Sequence, residues 1–315
     1  MGTALVAGTA GSRRAFGRTI GIGAGGAVAA LAALPGAGSA LAAPARGAAH
    51  APGAKNVVRL GAVNTPDYSG LLDELVGQFS AQTGLQVTIY SNEDVYQHAR
   101  AGEVDLVLSH YGHRDVEAFM ADGLGQWPRT VFANQMAVLG PPSDPAGVRG
   151  MTDATEAFQR IAARGATWVV NNLPGLGYLE AIMWEGAGRP SRGEWYVDNG
   201  LVQGQAIQMA GRRGAYAMWG IFPFLRMSEQ QRVELEPLVL ADSLLQRIMV
   251  TIVPEPGRFP GANTEGAMAL QQFLLTPATQ AHIREFRYPG RSEQLWWPAG
   301  RHNHPSVLPG GGAGD

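Results

Sequence analysis

The pattern of apolar and polar positions becomes regular only from about residue 56. Val57-Val58-Arg59-Leu60-Gly61-Ala62-Val63 is a short apolar run, and Asn64-Thr65-Pro66-Asp67-Tyr68-Ser69-Gly70 is a polar turn. Leu71, Leu72, Leu75, Val76 and Phe79 then share one face at a 3.6-residue period. This predicts a buried strand, a turn and an amphipathic helix. Strand-like runs follow at residues 86–90 and 105–108, and Val116, Phe119 and Met120 mark a helix closed by Gly123. Residues 135–140 read as a strand ended by Pro141-Pro142, and residues 153–164 as a helix ended by Gly165. Then come a strand at 167–170, a helix carrying Leu179, Ile182 and Met183, a helix opened by 200–204, a strand at 215–219 and a β-branched strand at 247–254. Thr276-Pro277 is an N-cap with proline in the first helical turn. Alternating strands and helices predict an α/β fold, with mostly parallel sheets covered by helices on both faces. Such folds bind small ligands at the carboxyl ends of their strands, which puts residues 64–70 at a candidate site.

Both ends of the chain break this rhythm. Ser12-Arg13-Arg14-Ala15-Phe16-Gly17-Arg18 precedes a Gly/Ala/Leu-rich run over 19–34 and the small-residue site Ala40-Leu41-Ala42. This predicts a twin-arginine export signal over 1–42, cleaved near Ala42 and read by the twin-arginine translocase, with a periplasmic or secreted soluble product. Gly21, Gly23 and Gly26 match a dinucleotide fingerprint in spacing, but no strand precedes them. Residues 43–55 are Ala/Pro/Gly-rich and read as a linker, and 299–315 read as a flexible tail.

Composition narrows the classes. The chain has 315 residues, 45% hydrophobic and 16% charged, enough for a large core and two lobes. Its net charge is -2, and the export segment carries Arg13, Arg14 and Arg18 but no acid, so the mature chain is more acidic still. That gives no nucleic-acid signal. Cysteine is absent, which excludes disulfides, thiolate metal sites and a lipid-anchored cysteine. No nucleophile elbow, metalloprotease helix or phosphate loop is present, so a binding protein is expected and not an enzyme, and no cofactor is expected.

Several landmarks fall in a recognisable order: Ser69-Gly70-Leu71-Leu72-Asp73, Phe79-Ser80-Ala81-Gln82-Thr83-Gly84, Gly102 through His110, Asn134 through Pro141, Asp144-Pro145-Ala146-Gly147-Val148, Trp195-Tyr196, Met209-Ala210, Gly214-Ala215-Tyr216 and Phe273-Leu274-Leu275-Thr276-Pro277. In these the chain, from about 57 to 298, resembles the periplasmic tungstate-binding proteins of ABC importers, within the type II solute-binding fold. The resemblance implies lobe 1 at 56–138 and 248–298, lobe 2 at 139–247, and hinge strands at 135–140 and 248–254. It also implies an ABC permease and ATPase as partners, with a small-molecule or oxyanion ligand between the lobes. In that family the anion is held by a TTTS run, a GTG turn and an arginine beside an SGT turn. Here the TTTS run falls on Ala62-Val63-Asn64-Thr65, the GTG turn near Ser91-Asn92-Glu93, and the arginine region within 171–177, where no arginine remains.

The expected ligand-binding set is therefore divergent. It comprises Asn64, Thr65, Asp67, Tyr68, Ser69, Ser91, Asn92, Glu93, His110, Tyr111, Asn134, Asn171, Asn172, Gly175, Gln203, Gly204, Trp219 and Arg247. Asp67, Glu93 and Asp94 lie in or beside the first-lobe turns, and a carboxylate ~5 Å from a unit negative charge costs about 3 kcal/mol at an effective dielectric near 20. Either these acids turn away or the ligand is not tungstate. Amides and the rings of Tyr68, Tyr111 and Trp219 suit an organic solute, while Arg247 is a cation able to hold a carboxylate or oxyanion. Trp219 is equally readable as core. His110 and His113 could ligate a metal, although a loop-fixing role is the simpler reading. His302-Asn303-His304 reads as an exposed loop. An alternative to import is an extracytoplasmic accessory or sensory protein acting on a protein partner.

Overall fold

The computed structural model describes residues 55–299 apart from Glu93 and Pro174, so the expected export signal, the linker up to 54 and the tail beyond Ala299 lie outside the described residues. The chain runs β1 (Val57–Ala62), α1 (Asn64–Tyr68), α2 (Leu71–Thr83), β2 (Gln86–Ser91), α3 (Val95–Arg100), β3 (Leu106–His110), α4 (Arg114–Ala121) and β4 (Arg129–Gly140). It continues through α5 (Ala154–Ala163), β5 (Trp168–Val169), α6 (Gly177–Gly186), β6 (Tyr196–Val197), α7 (Gln203–Arg213), β7 (Ala217–Gly220) and α8 (Ile221–Gln230). The last elements are β8 (Glu236–Val239), a 3-10 turn (Ser243–Leu245), β9 (Gln246–Ile252), α9 (Thr264–Leu274), α10 (Pro277–Glu285) and β10 (Trp296–Pro298).

Local chemistry explains the boundaries. Gly70 and Gly84 take left-handed backbone at either end of α2, a conformation that costs glycine little, and Leu71, Leu72, Leu75 and Phe79 are buried beneath it. Asp153 caps α5 by accepting from the Glu156 N–H at 2.9 Å. Thr276 likewise accepts from the Thr279 N–H at 3.3 Å, and Pro277 opens α10.

The principal sheet is mixed. β1 lies between β2 and β3 in parallel, as the alternation of elements predicts. β9 pairs antiparallel with β3 and with the first half of β4, β10 lies on β4's other side, and the second half of β4 pairs antiparallel with β7 and β8. β4 thus passes through both halves of the molecule. β9 pairs along its length within the first half, so the return crossing lies just before it, where the Gln135 side chain donates to Leu240 O at 2.6 Å.

Two hydrophobic clusters follow from the period of two along these strands. Ala137, Leu139, Ala217 and Trp219 belong to one cluster, which α7 and α8 cover and which continues beneath β1, β3 and β9. Met136, Val138 and Met218 point the other way, into a second cluster with residues of α5 and α6. Alternate residues of single strands therefore feed both cores.

Two buried polar nodes pin this framework. Asp105 takes Arg59 Nη2 at 2.6 Å and Nε at 3.1 Å, together with the backbone N–H groups of Arg59 and Asn263, and so ties β1 to the return segment before α9. In the second half, Glu180 Oε1 accepts from Trp168 Nε1 at 2.9 Å, Trp184 Nε1 at 3.1 Å and the Tyr196 hydroxyl at 3.2 Å. Burial raises the Glu180 carboxyl above the ordinary range, against the pull of those donors.

Candidate functional site

Parallel pairing sets Ala62 beside Ser91, so the turns after β1 and β2 open at the same edge. The turn after β1 is a one-turn helix, α1, and its surroundings are tightly bonded. Val63 N–H donates to Leu108 O and Asn92 N–H to Ala62 O, each at 3.0 Å. Ser91 Oγ donates to Asn64 Oδ1 at 3.3 Å. Ser69 Oγ donates to Pro66 O at 3.0 Å and accepts from the Leu71 N–H at 3.4 Å. Ser69 is buried and joins α1 to α2, which is a structural position. Thr65 and Asp67 are half-buried, and Asn92 is exposed with its amide 3.4 Å from the Tyr90 hydroxyl. Asp94, one of the three suspect acids, accepts from that hydroxyl at 2.7 Å. Glu93 lies outside the described residues. Tyr68 is exposed, and the Arg226 guanidinium of α8 sits 5.4 Å above its ring, within cation–π range.

A second group gathers on three adjacent strands. His110 of β3 lies opposite Met249 of β9, Met249 opposite Phe132 of β4, and Arg247 opposite Asn134. Positions two apart share a face, so His110, Asn134 and Arg247 stand on one side of the sheet at its edge. His110 and Asn134 are 8% and 7% exposed, and their polar side chains are buried beside one another. Burial pushes the His110 pKa down to about 3, helped by the Arg247 guanidinium nearby and opposed by the Asn134 side chain, so the ring is neutral at physiological pH. His113 does something else: its Nδ1 accepts from the Asp115 N–H at 3.2 Å and caps α4. The two histidines thus take separate structural surroundings. No cluster of three or more potential metal ligands occurs among the described residues.

The second half of the molecule meets this group at the start of α6. Gly175 has φ +80, and a Cβ there would lie only 3.5 Å from Arg247 Nη2. At Gly112 a Cβ would lie 3.9 Å from the Tyr178 hydroxyl. Residues 175–178 therefore touch the β9 side and the β3 loop together, and Tyr111 (58% exposed) and Tyr178 (55% exposed) present open rings at that junction.

The expected second-lobe amides take other roles. Asn171 is buried, its Oδ1 accepting from the Gln203 N–H at 2.7 Å and its Nδ2 donating to Met218 O at 3.4 Å. It supplies the N-terminal cap that Val202 cannot give α7. Asn172 Nδ2 donates to Asp198 at 2.9 Å. Gln203 is an exposed residue with φ +50, and a Cβ at Gly204 would lie 2.9 Å from Met227 Sδ and 4.0 Å from Trp219. Trp219, 8% exposed, packs in the first hydrophobic cluster, so the core reading describes its place. Sequence reasoning missed Tyr178 and Arg226. Tyr178 follows directly on the glycine-containing segment 171–177, which could have flagged it; Arg226 lies mid-helix with no comparable sign.

Chemically, the junction brings a guanidinium, a neutral imidazole, an amide and phenol rings to one edge between two halves of the protein. A guanidinium in such a place suits an anion.

Comparison with known proteins places the chain among relatives. Residues 63–288 match the family model described as bacterial extracellular solute-binding protein. A Haloferax volcanii protein provisionally named an ABC transporter anion-binding protein is 32% identical over 251 residues, covering 78% of this chain and 72% of the relative. The tungstate-binding protein TupA of Peptoclostridium acidaminophilum is 26% identical over 238 residues, covering 74% of this chain and 82% of the relative. Among solved structures, the tungstate-binding protein TupA from Desulfovibrio alaskensis G20 superposes with a TM-score of 0.67 at 27% identity, over 77% of this chain and 98% of the other.

Proposed function

The chain belongs to the bacterial extracellular solute-binding protein family, and from that premise we propose that it captures a small anion between its two lobes and presents it to the permease and ATPase of an ABC importer. Relatives named for ABC transport and anion binding favour this over an accessory or sensory role. The observation that carries the anion reading is Arg247, which leaves the sheet of the first half and approaches within 3.5 Å of a Cβ position at Gly175 in the second. A cation that reaches across the junction lets an anion bridge both lobes, so binding favours the closed form over the open one. His110 stays neutral there and adds no competing charge requirement. The protein acts by binding and release, in keeping with a family of binding proteins.

In this reading lobe 1 comprises 56–138 and the return segment from β9 to 298, lobe 2 comprises the residues between them, and β4 is a hinge. Export proceeds through the twin-arginine translocase with cleavage near Ala42, leaving a soluble extracytoplasmic protein. Asn64, Thr65, Asp67 and Tyr68 line the first-lobe side, and Gly175 with Arg247 the junction. The ligand differs from tungstate, because the family's hydroxyl-rich run is Ala62-Val63-Asn64-Thr65 here.

A thermal-shift and calorimetric screen of the purified protein against anions tests the proposal. An anion at about 100 times its dissociation constant should add about 2.7 kcal/mol of stability. Arg247→Gln should weaken that binding roughly 10- to 100-fold, the loss of a charge-assisted contact. No stabilisation by any anion, or full binding by the variant, would refute it. Arg13→Lys with Arg14→Lys should leave the protein in the cytoplasm; normal export would remove the twin-arginine assignment.

A further inference from the structure

Helix α8 follows β7 directly and packs against it and against β4, yet one of its faces meets the first half of the molecule. Resting on the two-lobe reading above, we propose that this face is a latch. It holds the closed form together before any ligand arrives, and so sets the open–closed balance that a ligand shifts.

The helical period defines the face. Phe222, Arg226 and Glu229 stand at i, i+4 and i+7 and share one side of α8. Phe222 is buried, whereas Arg226 and Glu229 are exposed residues. Each has a partner in the first half. The Arg226 guanidinium lies 5.4 Å above the Tyr68 ring of α1. Phe222 meets the Tyr288 ring edge-on at 5.4 Å between centroids, and Glu229 Oε2 accepts from the Tyr288 hydroxyl at 3.2 Å. Arg291 Nη2 donates to Ser228 Oγ at 3.3 Å, and its Nε lies 4.0 Å from Glu229 Oε1.

The segment that carries Tyr288 and Arg291 is built to keep its shape. An antiparallel bridge between Arg287 and Gln294 closes it into a short hairpin. At the tip the Arg291 N–H donates to Tyr288 O at 2.9 Å. Pro289 and Gly290 occupy the central positions of that turn, with Gly290 at φ +74, as a type II turn requires. The Arg287 guanidinium braces the hairpin from within, donating to Ser292 O at 3.0 Å, Arg284 O at 2.7 Å and Phe286 O at 2.8 Å. The hairpin leads into β10, which pairs with the first half of β4, so Tyr288 and Arg291 travel with the first lobe. Partly wet ion pairs and cation–π contacts are individually weak. None of them locks the lobes alone, but all act on one helix face, which suits a closure that must also release. A larger closed fraction in the unliganded protein lowers the apparent Kd, because the intrinsic value is divided by that fraction.

The chain contains no cysteine, so two introduced ones take spin labels without competition. Gln82→Cys in the last turn of α2 and Arg164→Cys at the end of α5 are exposed positions in the two lobes. Pulsed electron spin resonance on the unliganded protein then reads the distance between them. Wild type should show mainly one distance, that of the closed form. In Glu229→Gln/Arg291→Gln a second population at a different distance should grow roughly tenfold relative to the first, equivalent to about 1.4 kcal/mol. Arg226→Gln and Tyr288→Phe should move the same way by less. Cooperative unfolding in urea checks that each variant is folded, and Tyr288→Phe, which removes one hydroxyl, carries the test if the double variant is not. Distances in all the variants identical to wild type would overturn the latch, and would leave the anion reading standing if tungstate, molybdate or phosphate still stabilised the protein. A second distance in the variants, with no stabilisation by any anion, would uphold the latch and end the anion reading.

Discussion

Glu180 offers the sharpest test of how the second half is held together. Its Oε1 gathers two indole N–H groups and a phenol, at 2.9, 3.1 and 3.2 Å, while Oε2 is buried without a partner. Glu180→Leu would leave the Trp168 and Trp184 N–H groups buried and unsatisfied, at about 1–3 kcal/mol each. Removing a buried carboxylate returns part of that, because its desolvation costs several kcal/mol. The net loss should be about 2–4 kcal/mol, or roughly 5–15 °C in melting temperature for a chain of this size. Glu180→Gln keeps an acceptor for the indoles and removes the charge, so it should stay within about 1 kcal/mol of wild type at neutral pH. The pH dependence provides a second reading. Because burial raises this carboxyl, the folded state binds its proton more tightly than the unfolded state. Its stabilising contribution is therefore present at low pH and lost as pH rises from the ordinary carboxylate value through the raised one. Urea unfolding of wild type and Glu180→Gln from pH 4 to 8, followed by tryptophan fluorescence, should show the balance moving toward Gln as pH rises. A difference that is flat across this range, or that moves toward wild type, would refute the account.

Three further outcomes follow from the same structure. Asp105→Ala should cost about 3–5 kcal/mol, since it strands the Arg59 guanidinium against the fold, and adding Arg59→Met should recover part of the loss in a double-mutant cycle by chemical denaturation. Asn171→Ala should cost about 1 kcal/mol and speed amide exchange at Gln203, whose N–H loses its acceptor, with little change in exchange along β4. His110 has its pKa pushed down to about 3, so the unfolded chain takes up a proton that the folded one refuses, and stability is lost as pH falls from about 6.5 toward 3. His110→Asn should lose less stability than wild type between pH 7.5 and 4.5 in urea titrations.

Much of this was legible along the chain. The apolar period placed α2 with its buried Leu71, Leu72, Leu75 and Phe79, a helix was expected over 153–164 where α5 lies, and the Thr276 cap located the start of α10. The short elements β6, β8 and β10 escaped it, as did α1, because a few residues cannot display a period. Strand direction was only half legible: alternation predicts parallel neighbours, yet β4 and β9 pair antiparallel, since a strand that returns from a distant segment carries no local sign of its orientation.

For the candidate site, the sequence offered residue types and the strand ends at which they lie. Its family landmarks led to the expectation of a solute-binding protein, and the family match over residues 63–288 agrees. Which polar side chains remain available to a ligand is not local. Asn171 and Asn172 read as binding groups until folding brought Gln203 and Asp198 within reach of them. Tyr178 and Arg226 gained significance only when α6 and α8 came to lie beside Gly112 and Tyr68. A hydrogen bond is decided by distances of about 3 Å between residues far apart in the chain, and only the tertiary structure sets those distances.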